Sequence, residues 1–362
     1  MRSSVQPPEW LLQPLKGITV KATFLFGTSD VRVLDIPEPT IVQPTDAVIR
    51  TVVACVCGSD LWDYWNSTPE KPIPKGHEVI GVVEAVGASV KKFKVGDLVV
   101  VPFVASCGEC DFCLRNQQTS CRKIAFFGHD GGGACQAEFV RIPNADGTFV
   151  KLPVAENDSH MASLLTLSDV LGTGYHAAKT ADVQPGETVV VIGDGAVGLS
   201  AVIGAKKLGA EKIILMSRHE SRAILGREYG ATHVIAERDE AAVAAVKELT
   251  SGDGADKVLE AVGTQQAIDG AIAMVRSYGT IGRVGAAQYP NVPMDFMTVM
   301  RNITMTGGVA PVRAYIETLM PDILSDKINP GKMFDLEVGL DDIAAGYEAM
   351  ATRKAIKTLV RP

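Results

Sequence analysis

The sequence predicts an α/β protein of two parts, a doubly wound parallel sheet in its second half and a compact antiparallel barrel in its first. Three observations point there. The chain has 362 residues, more than one ordinary core accommodates and suited to two domains of roughly 150 residues each. From Thr173 onward, continuous apolar runs alternate with helical stretches, the pattern of strands buried on both faces in βαβ units. Before that point the apolar stretches are short and punctuated by Gly and Pro, at the spacing of a compact antiparallel barrel.

Composition narrows the class. Hydrophobic residues make up 46% of the chain, which excludes a disordered protein. No apolar run approaches the ~18 residues that a membrane span needs, so a soluble protein without a membrane partner is expected. Lys and Arg total 35 against 42 Asp and Glu, a formal charge of −7, which argues against a basic face wrapped by nucleic acid. An anionic ligand would then depend on locally placed donors and helix N-termini. The seven cysteines are an odd number, four of them crowded into 107–121, and no charged n-region leads into an apolar h-region. A metal site in a reducing cytoplasm is expected, not a secreted disulfide framework.

In chain order, residues 1–19 carry Pro7, Pro8 and Pro14 without periodicity and read as an arm used in subunit contact. Barrel strands are expected at 47–56, 79–86 and 98–102. Parallel strands follow at 188–192, 213–216, 258–262 and 280–284, with helices at 197–208, 221–229 and 241–249 among them. Residues 313–324 read as a helix and 356–359 as a last strand returning to the first domain. The expected domains are therefore 20–172 with 313–362, and 173–312.

Cys107, Cys110, Cys113 and Cys121 form the strongest motif. Four thiolates within fifteen residues, in a lobe at about 105–123, can close a tetrahedral S4 shell that suits zinc and leaves no open position. Buried cysteines that merely pack are the bland reading, and an iron–sulfur cluster is the closer rival. A second set is dispersed: Cys57, His77 beside Glu78, and Asp169. One Cys, one His and one carboxylate are the mixed ligands expected where zinc keeps a fourth position for water or substrate. Singly each is weak, since Asp169 could cap the following helix and His77 could be an ordinary polar residue.

The run 188–192 leads straight into Gly193-Asp194-Gly195-Ala196-Val197-Gly198 and then a helix. Gly193 allows the tight turn, Gly195 lets the backbone approach a pyrophosphate, and Gly198 lets the helix pack on the strand. At the end of the next strand, where an acidic residue would mark NAD, stand Ser217 and Arg218, with Arg222 one turn on. A small neutral residue with guanidinium groups suits a 2′-phosphate, so NADP(H) is favoured over NAD(H). The alternative is a solvated Arg218 with Glu220 serving the ribose.

Together these residues resemble the medium-chain zinc alcohol dehydrogenase family, from about Val20 to the end. Six motifs stand in the family's order: Cys57-Gly58-Ser59-Asp60, Gly76-His77-Glu78, the four-cysteine lobe, the Asp169 segment ending in Thr173-Gly174, the glycine turn, and Gly254-Ala255-Asp256. The resemblance implies a GroES-like catalytic domain and a Rossmann coenzyme domain. It implies two zinc ions per chain, a catalytic one on Cys57, His77 and Asp169 and a structural one on the four-cysteine lobe. It further implies that Glu78 approaches the metal, Asp60 orients His77, and Ser59 accepts the substrate proton. Thr173 and Val197 would press on the nicotinamide, and Lys357 would lie near the pyrophosphate. The activity implied is hydride transfer between NAD(P)(H) and a primary or secondary alcohol or its carbonyl, in a homodimer or homotetramer.

Two positions depart from the family pattern: Gly58 stands where liver-type enzymes are often basic, and Trp62 where many members carry a proton-relaying His. An indole N–H donates but does not shuttle protons near neutral pH. Trp62, Tyr64, Trp65, Phe103 and Phe126 are candidates to line an apolar substrate pocket or to fill the barrel core. Polyol, threonine or formaldehyde-adduct dehydrogenases on the same scaffold are the alternative activities. A zinc-binding interaction module without catalysis is the alternative of another class.

Overall fold

The computed structural model describes residues 17–128, 133–288, 292 and 295–362; the first sixteen residues of the expected N-terminal arm lie outside them. The chain separates into two compact units, one formed by Met1–Asp169 with Val312–Pro362 and the other by Val170–Pro311. The expected exchange points were 172/173 and 312/313. None of the described helices is long and apolar enough to cross a membrane.

The first unit is built on antiparallel pairing. Strand Ala47–Val56 pairs with Val79–Val86, and that with Leu98–Val101. The closing strand Lys357–Arg361 lies antiparallel to Ala47–Val56 and parallel to Phe334–Gly339, so the chain's end returns to the first-unit sheet. A three-stranded sheet, Asp30–Pro37, Thr19–Gly27 and Ile73–Pro74, accompanies it. Inward residues such as Leu25, Ile49, Val83, Val99 and Phe149 share one buried cluster with Tyr347. This is the GroES-like part, a folded sheet with apolar residues inside and short turns between.

The second unit is a six-stranded parallel sheet. Numbered in chain order within the sheet, its strands lie 3-2-1-4-5-6, the order of the Rossmann fold. Thr188–Ile192 is central, flanked by Lys212–Met216 and Ala255–Glu260. Val189, Val190 and Val191 are fully buried, as a strand covered by helices on both faces requires. The fourth strand, expected at 258–262, ends at Glu260. There the Glu260 carboxylate accepts the N–H groups of Val262 and Gly263 at 2.6 and 2.7 Å and turns the chain.

Candidate functional site

Strand Ala47–Val56 ends one residue before Cys57, and helix Asp60–Asn66 starts three residues after it. Asp60 Oδ2 accepts the Cys57 N–H at 3.0 Å, which closes the turn and fixes the thiol. Gly76 has φ +97° and a Cβ there would meet the Gln136 backbone nitrogen at 2.5 Å, so only glycine brings His77 in at this angle. Asp60 Oδ1 lies 3.7 Å from His77 Nδ1. On the far side, Phe103 N–H donates to Ser168 O at 3.0 Å and the Ser168 hydroxyl donates to Val101 O, tying the segment before Asp169 to the end of a barrel strand. Asp169 Oδ2 then stands 3.7 Å from Cys57 Sγ and 3.5 Å from His77 Nε2.

One donor atom from each of Cys57, His77, Glu78 and Asp169 falls within 4.8 Å of the others. Glu78 is fully buried; its Oε1 accepts from Lys357 Nζ at 2.7 Å and lies 3.9 Å from His77 Nε2. Its Oε2 is buried without a hydrogen-bond partner. An orphaned carboxylate oxygen beside three further ligand atoms fits a cation, because a buried acceptor left unmet is costly. Burial works against the charged imidazole of His77, yet Cys57, Asp60 and Asp169 outweigh it and hold its pKa well above the usual range. Burial pushes the Cys57 thiol up. A divalent ion held by these residues would relieve both, taking the place of the imidazole proton and favouring the thiolate.

The four-cysteine lobe is a separate cage. Sulfur pairs stand at 3.5 Å (Cys107–Cys121), 3.6 Å (Cys110–Cys113) and 3.9 Å (Cys107–Cys113 and Cys110–Cys121). Four sulfurs held ~2.3 Å from one central ion stand about 3.8 Å apart. The spacing therefore fits a single zinc ion and is too tight for a multi-iron cluster. Backbone N–H groups at Arg122 and Cys113 pull the Cys110 thiol down to about 6, whereas burial pushes Cys113 up to about 12.

In the second unit the glycine turn has the shape its sequence implies. Gly193 has φ +116°, and a Cβ on Gly198 would meet Gly193 O at 1.9 Å. A Cβ on Gly195 would meet nothing within 4 Å, which leaves open space beside the backbone at the N-terminus of helix Ala196–Lys207, where a pyrophosphate is accepted. Ala196, Val197 and Thr173 are half-buried, the last on helix Val170–Thr180, which packs on Ala196–Lys207.

The remaining candidates divide. Ser59 is exposed, and its hydroxyl makes no capping bond to helix Asp60–Asn66. Phe103 meets His77 edge-on, ring centroids 6.5 Å apart. Trp62 is half-buried, Trp65 and Phe126 are exposed, and Tyr64 packs on Tyr347 in the core. Arg218 is exposed.

One expectation is corrected. Lys357 is not presented to a pyrophosphate: its amine is shut from solvent and held by Glu78 Oε1 and Val56 O, because a buried ammonium needs a counter-charge. Arg222, expected beside a 2′-phosphate, pairs with a carboxylate of the glycine turn. It is buried with Nη1 3.3 Å from Asp194 Oδ1, and the Ser217 hydroxyl donates to Asp194 Oδ2 at 2.8 Å. No acid ends the second strand, but the Asp194 carboxylate, delivered from the glycine turn, stands one hydrogen bond from Ser217 there.

Sequence reasoning missed Asp194 and the supports of Asp60. Lys75 Nζ lies 3.4 Å from Asp60 Oδ1 and 3.0 Å from Asp63 Oδ2. Gln136 Nε2 donates to Cys55 O and to Asp60 Oδ2, and its Oε1 accepts from Tyr347. Asp194 was legible in principle, as a charged residue inside a glycine turn.

Both units match known families: residues 43–154 the alcohol dehydrogenase GroES-like domain, and residues 196–325 the zinc-binding dehydrogenase family. Zinc-type alcohol dehydrogenase B of Aspergillus flavus is 34% identical over 352 residues, 94% of this chain and 81% of that protein. Sorbitol dehydrogenase of Bacillus subtilis is 31% identical over 359 residues, 95% of this chain and 97% of that protein. Among solved structures, alcohol dehydrogenase TADH from Thermus sp. ATN1 superimposes with a TM-score of 0.86 at 33% identity, covering 94% of this chain and 99% of that one. Fold, donor clusters and relatives define a zinc-dependent oxidoreductase. The chain belongs to the medium-chain zinc-type alcohol dehydrogenase family.

Proposed function

We propose that the protein transfers a hydride between a nicotinamide dinucleotide and a primary or secondary alcohol or its carbonyl counterpart. Residues 20–172 with 313–362 form the catalytic domain, and 173–312 form the coenzyme domain. The observation that carries the reading is the Cys57, His77, Glu78 and Asp169 cluster with its unpartnered buried oxygen. Cys57, His77 and Asp169 hold the catalytic zinc, and the four-cysteine lobe holds a structural one. A zinc ion held by three protein ligands supplies a Lewis acid that favours the alkoxide of an alcohol or polarises a carbonyl.

The chain's own groups do the rest. Asp60 holds His77 in one orientation, and Lys357 balances Glu78. Ser59 takes the hydroxyl proton; being itself exposed, it passes the proton to water without the imidazole that Trp62 replaces. Thr173 and Val197 bear on the nicotinamide, while the turn from Gly193 through Ala196 to Gly198 takes the pyrophosphate. NADP(H) is supported by the small neutral Ser217 and the exposed Arg218 at the end of the second strand, with Arg222 paired to Asp194.

Phe103 beside His77 favours an apolar substrate group, and sugars would lack partners there; Trp62, Trp65 and Phe126 are the further lining candidates. The likeness to sorbitol dehydrogenase keeps polyols as the second reading. A homodimer or homotetramer is supported by strand Thr304–Gly307, which ends the parallel sheet and follows a helix with Phe296, Met297, Val299 and Met300 exposed.

Steady-state rates on a panel of alcohols, polyols and carbonyls, with both dinucleotides and zinc content measured alongside, test the reading. Asp169→Ala is expected to abolish turnover and to remove about one zinc per chain. Retained activity in that variant overturns the ligand assignment.

A further inference from the structure

Asp194 occupies the second position of the glycine turn, and its carboxylate is held from two sides. Ser217 Oγ donates to Oδ2 at 2.8 Å, and Arg222 Nη1 lies 3.3 Å from Oδ1. Ser217 directly follows strand Lys212–Met216, and it is 2% exposed. That position, the end of the second strand, is where a doubly wound dinucleotide fold places the acid that meets the adenosine ribose. Here the strand carries no acid, yet a carboxylate stands within one hydrogen bond of the same place, delivered from the turn before it. The open space beside Gly195 lies one residue further along.

The charges decide what such a site accepts. Asp194 and Arg222 pair, with side chains 15% and 11% exposed, so the arginine offers little net attraction to an added anion. A carboxylate offers about four acceptor sites, which leaves room for the hydroxyl of an unmodified ribose to donate. A 2′-phosphate has no such proton to give and carries a charge of roughly −1.5 to −2 at neutral pH. It would meet Asp194 as a like charge. Arg218 pulls the other way, but it is exposed, where water and salt screen its charge.

We propose that Asp194, held by Ser217 and Arg222, is the residue that sets coenzyme specificity, selecting NAD(H) against NADP(H). This rests on the dehydrogenase reading above. The test uses the zinc-loaded full chain and compares wild type with Asp194→Asn and Arg222→Gln. Rates are taken with NAD and NADP, and calorimetry measures binding of ADP-ribose and of its 2′-phosphorylated form. Wild type is expected to prefer NAD. Asp194→Asn should raise the NADP-to-NAD ratio of kcat/KM about tenfold, with a matching relative gain for the 2′-phosphorylated ligand. Arg222→Gln, which strips the carboxylate of its counter-charge, should move the ratio the opposite way. A ratio unchanged within twofold in both variants, in an enzyme that turns over either dinucleotide, overturns the proposal alone. A wild type that binds neither ligand overturns the dehydrogenase reading and this proposal with it.

Discussion

Lys357 Nζ lies 2.7 Å from Glu78 Oε1, and both side chains are closed to solvent. The pair joins the chain's closing strand to the His77 segment, 279 residues earlier. Removing one partner of such a pair strands the other's charge in a low-dielectric interior, at a cost of about 3–5 kcal/mol. Lys357→Met is therefore expected to lower the melting temperature sharply, and more so after chelation if the proposed metal also balances Glu78. Lys357→Met with Glu78→Gln should regain most of the loss. Differential scanning calorimetry of the three chains checks this, and a single variant as stable as wild type would sink it.

The four-cysteine lobe predicts a different failure. Cys110 is drawn to about 6 by backbone N–H donors, so it is ready to bind metal as a thiolate near neutral pH. Cys110→Ser should cost about one zinc per chain and destabilise the fold, because a closed metal site contributes folding energy. Activity per correctly folded, catalytically loaded chain should fall far less. Metal analysis with a melting curve separates these effects; a loss purely in turnover would reverse the two sites.

Strands and helices with punctuated ends were legible. The expected barrel strands 47–56 and 79–86 and the helix 313–324 coincide with Ala47–Val56, Val79–Val86 and Arg313–Leu324. Strand Val275–Arg283 begins five residues before the expected 280 because Val275 pairs with Ala255, a partner no local pattern reveals. The site divides the same way. Ligand types and the glycine turn stand in short motifs, whereas Gln136 reaches Asp60 across 76 residues and Tyr347 reaches Gln136 across 211. Lys357 was visible as a basic residue, but its partner depended on which way a buried amine turns.

An acid-sensitive joint lies in the first unit. Asp97 is buried, and Lys94 and Lys151 Nζ donate to its Oδ1 at 2.9 and 2.7 Å. Burial alone would raise the carboxyl, but bonds from Lys151 and Lys94 prevail and bring it from 3.8 down to about 2. A depressed folded pKa contributes stability above the unfolded value and loses it as pH falls through the folded one. Wild type should thus exceed Asp97→Asn in stability above about pH 4, and the two should converge toward pH 2. Denaturant unfolding across that range measures it, and a gap independent of pH excludes the ionised carboxylate as the cause.

Among the described residues, strand Thr304–Gly307 has one sheet partner, Val275–Arg283, and its other edge ends the sheet. Exposed Phe296, Met297, Val299 and Met300 stand on the helix just before it. If two copies pair there, a charge in the apolar set should split them. Val299→Lys is expected to shift sedimentation toward the monomer while the zinc content per chain stays that of wild type. An unchanged sedimentation coefficient removes this edge as the interface.

Asp60 is the last test of how the candidate metal cluster is held. Its Oδ2 accepts from Cys57 N and Gln136 Nε2, while Oδ1 faces His77 Nδ1 at 3.7 Å and Lys75 Nζ at 3.4 Å. One carboxylate thus bonds the backbone of one proposed ligand and faces the ring of another, and the buried Lys75 ammonium needs its charge. Asp60→Asn keeps the shape and removes that charge, so imidazole basicity should drop and Lys75 should lose a counter-ion. Partners of this kind are worth about 10–100-fold in metal affinity, and that is the expected loss at the catalytic position. The four-cysteine ion should remain, giving about one zinc per chain after mild chelation. Competition with a chromogenic chelator reads the affinity directly. If Asp60→Asn bound zinc as tightly as wild type, the orientation of His77 would have to come from its packing against Phe103 and not from the carboxylate.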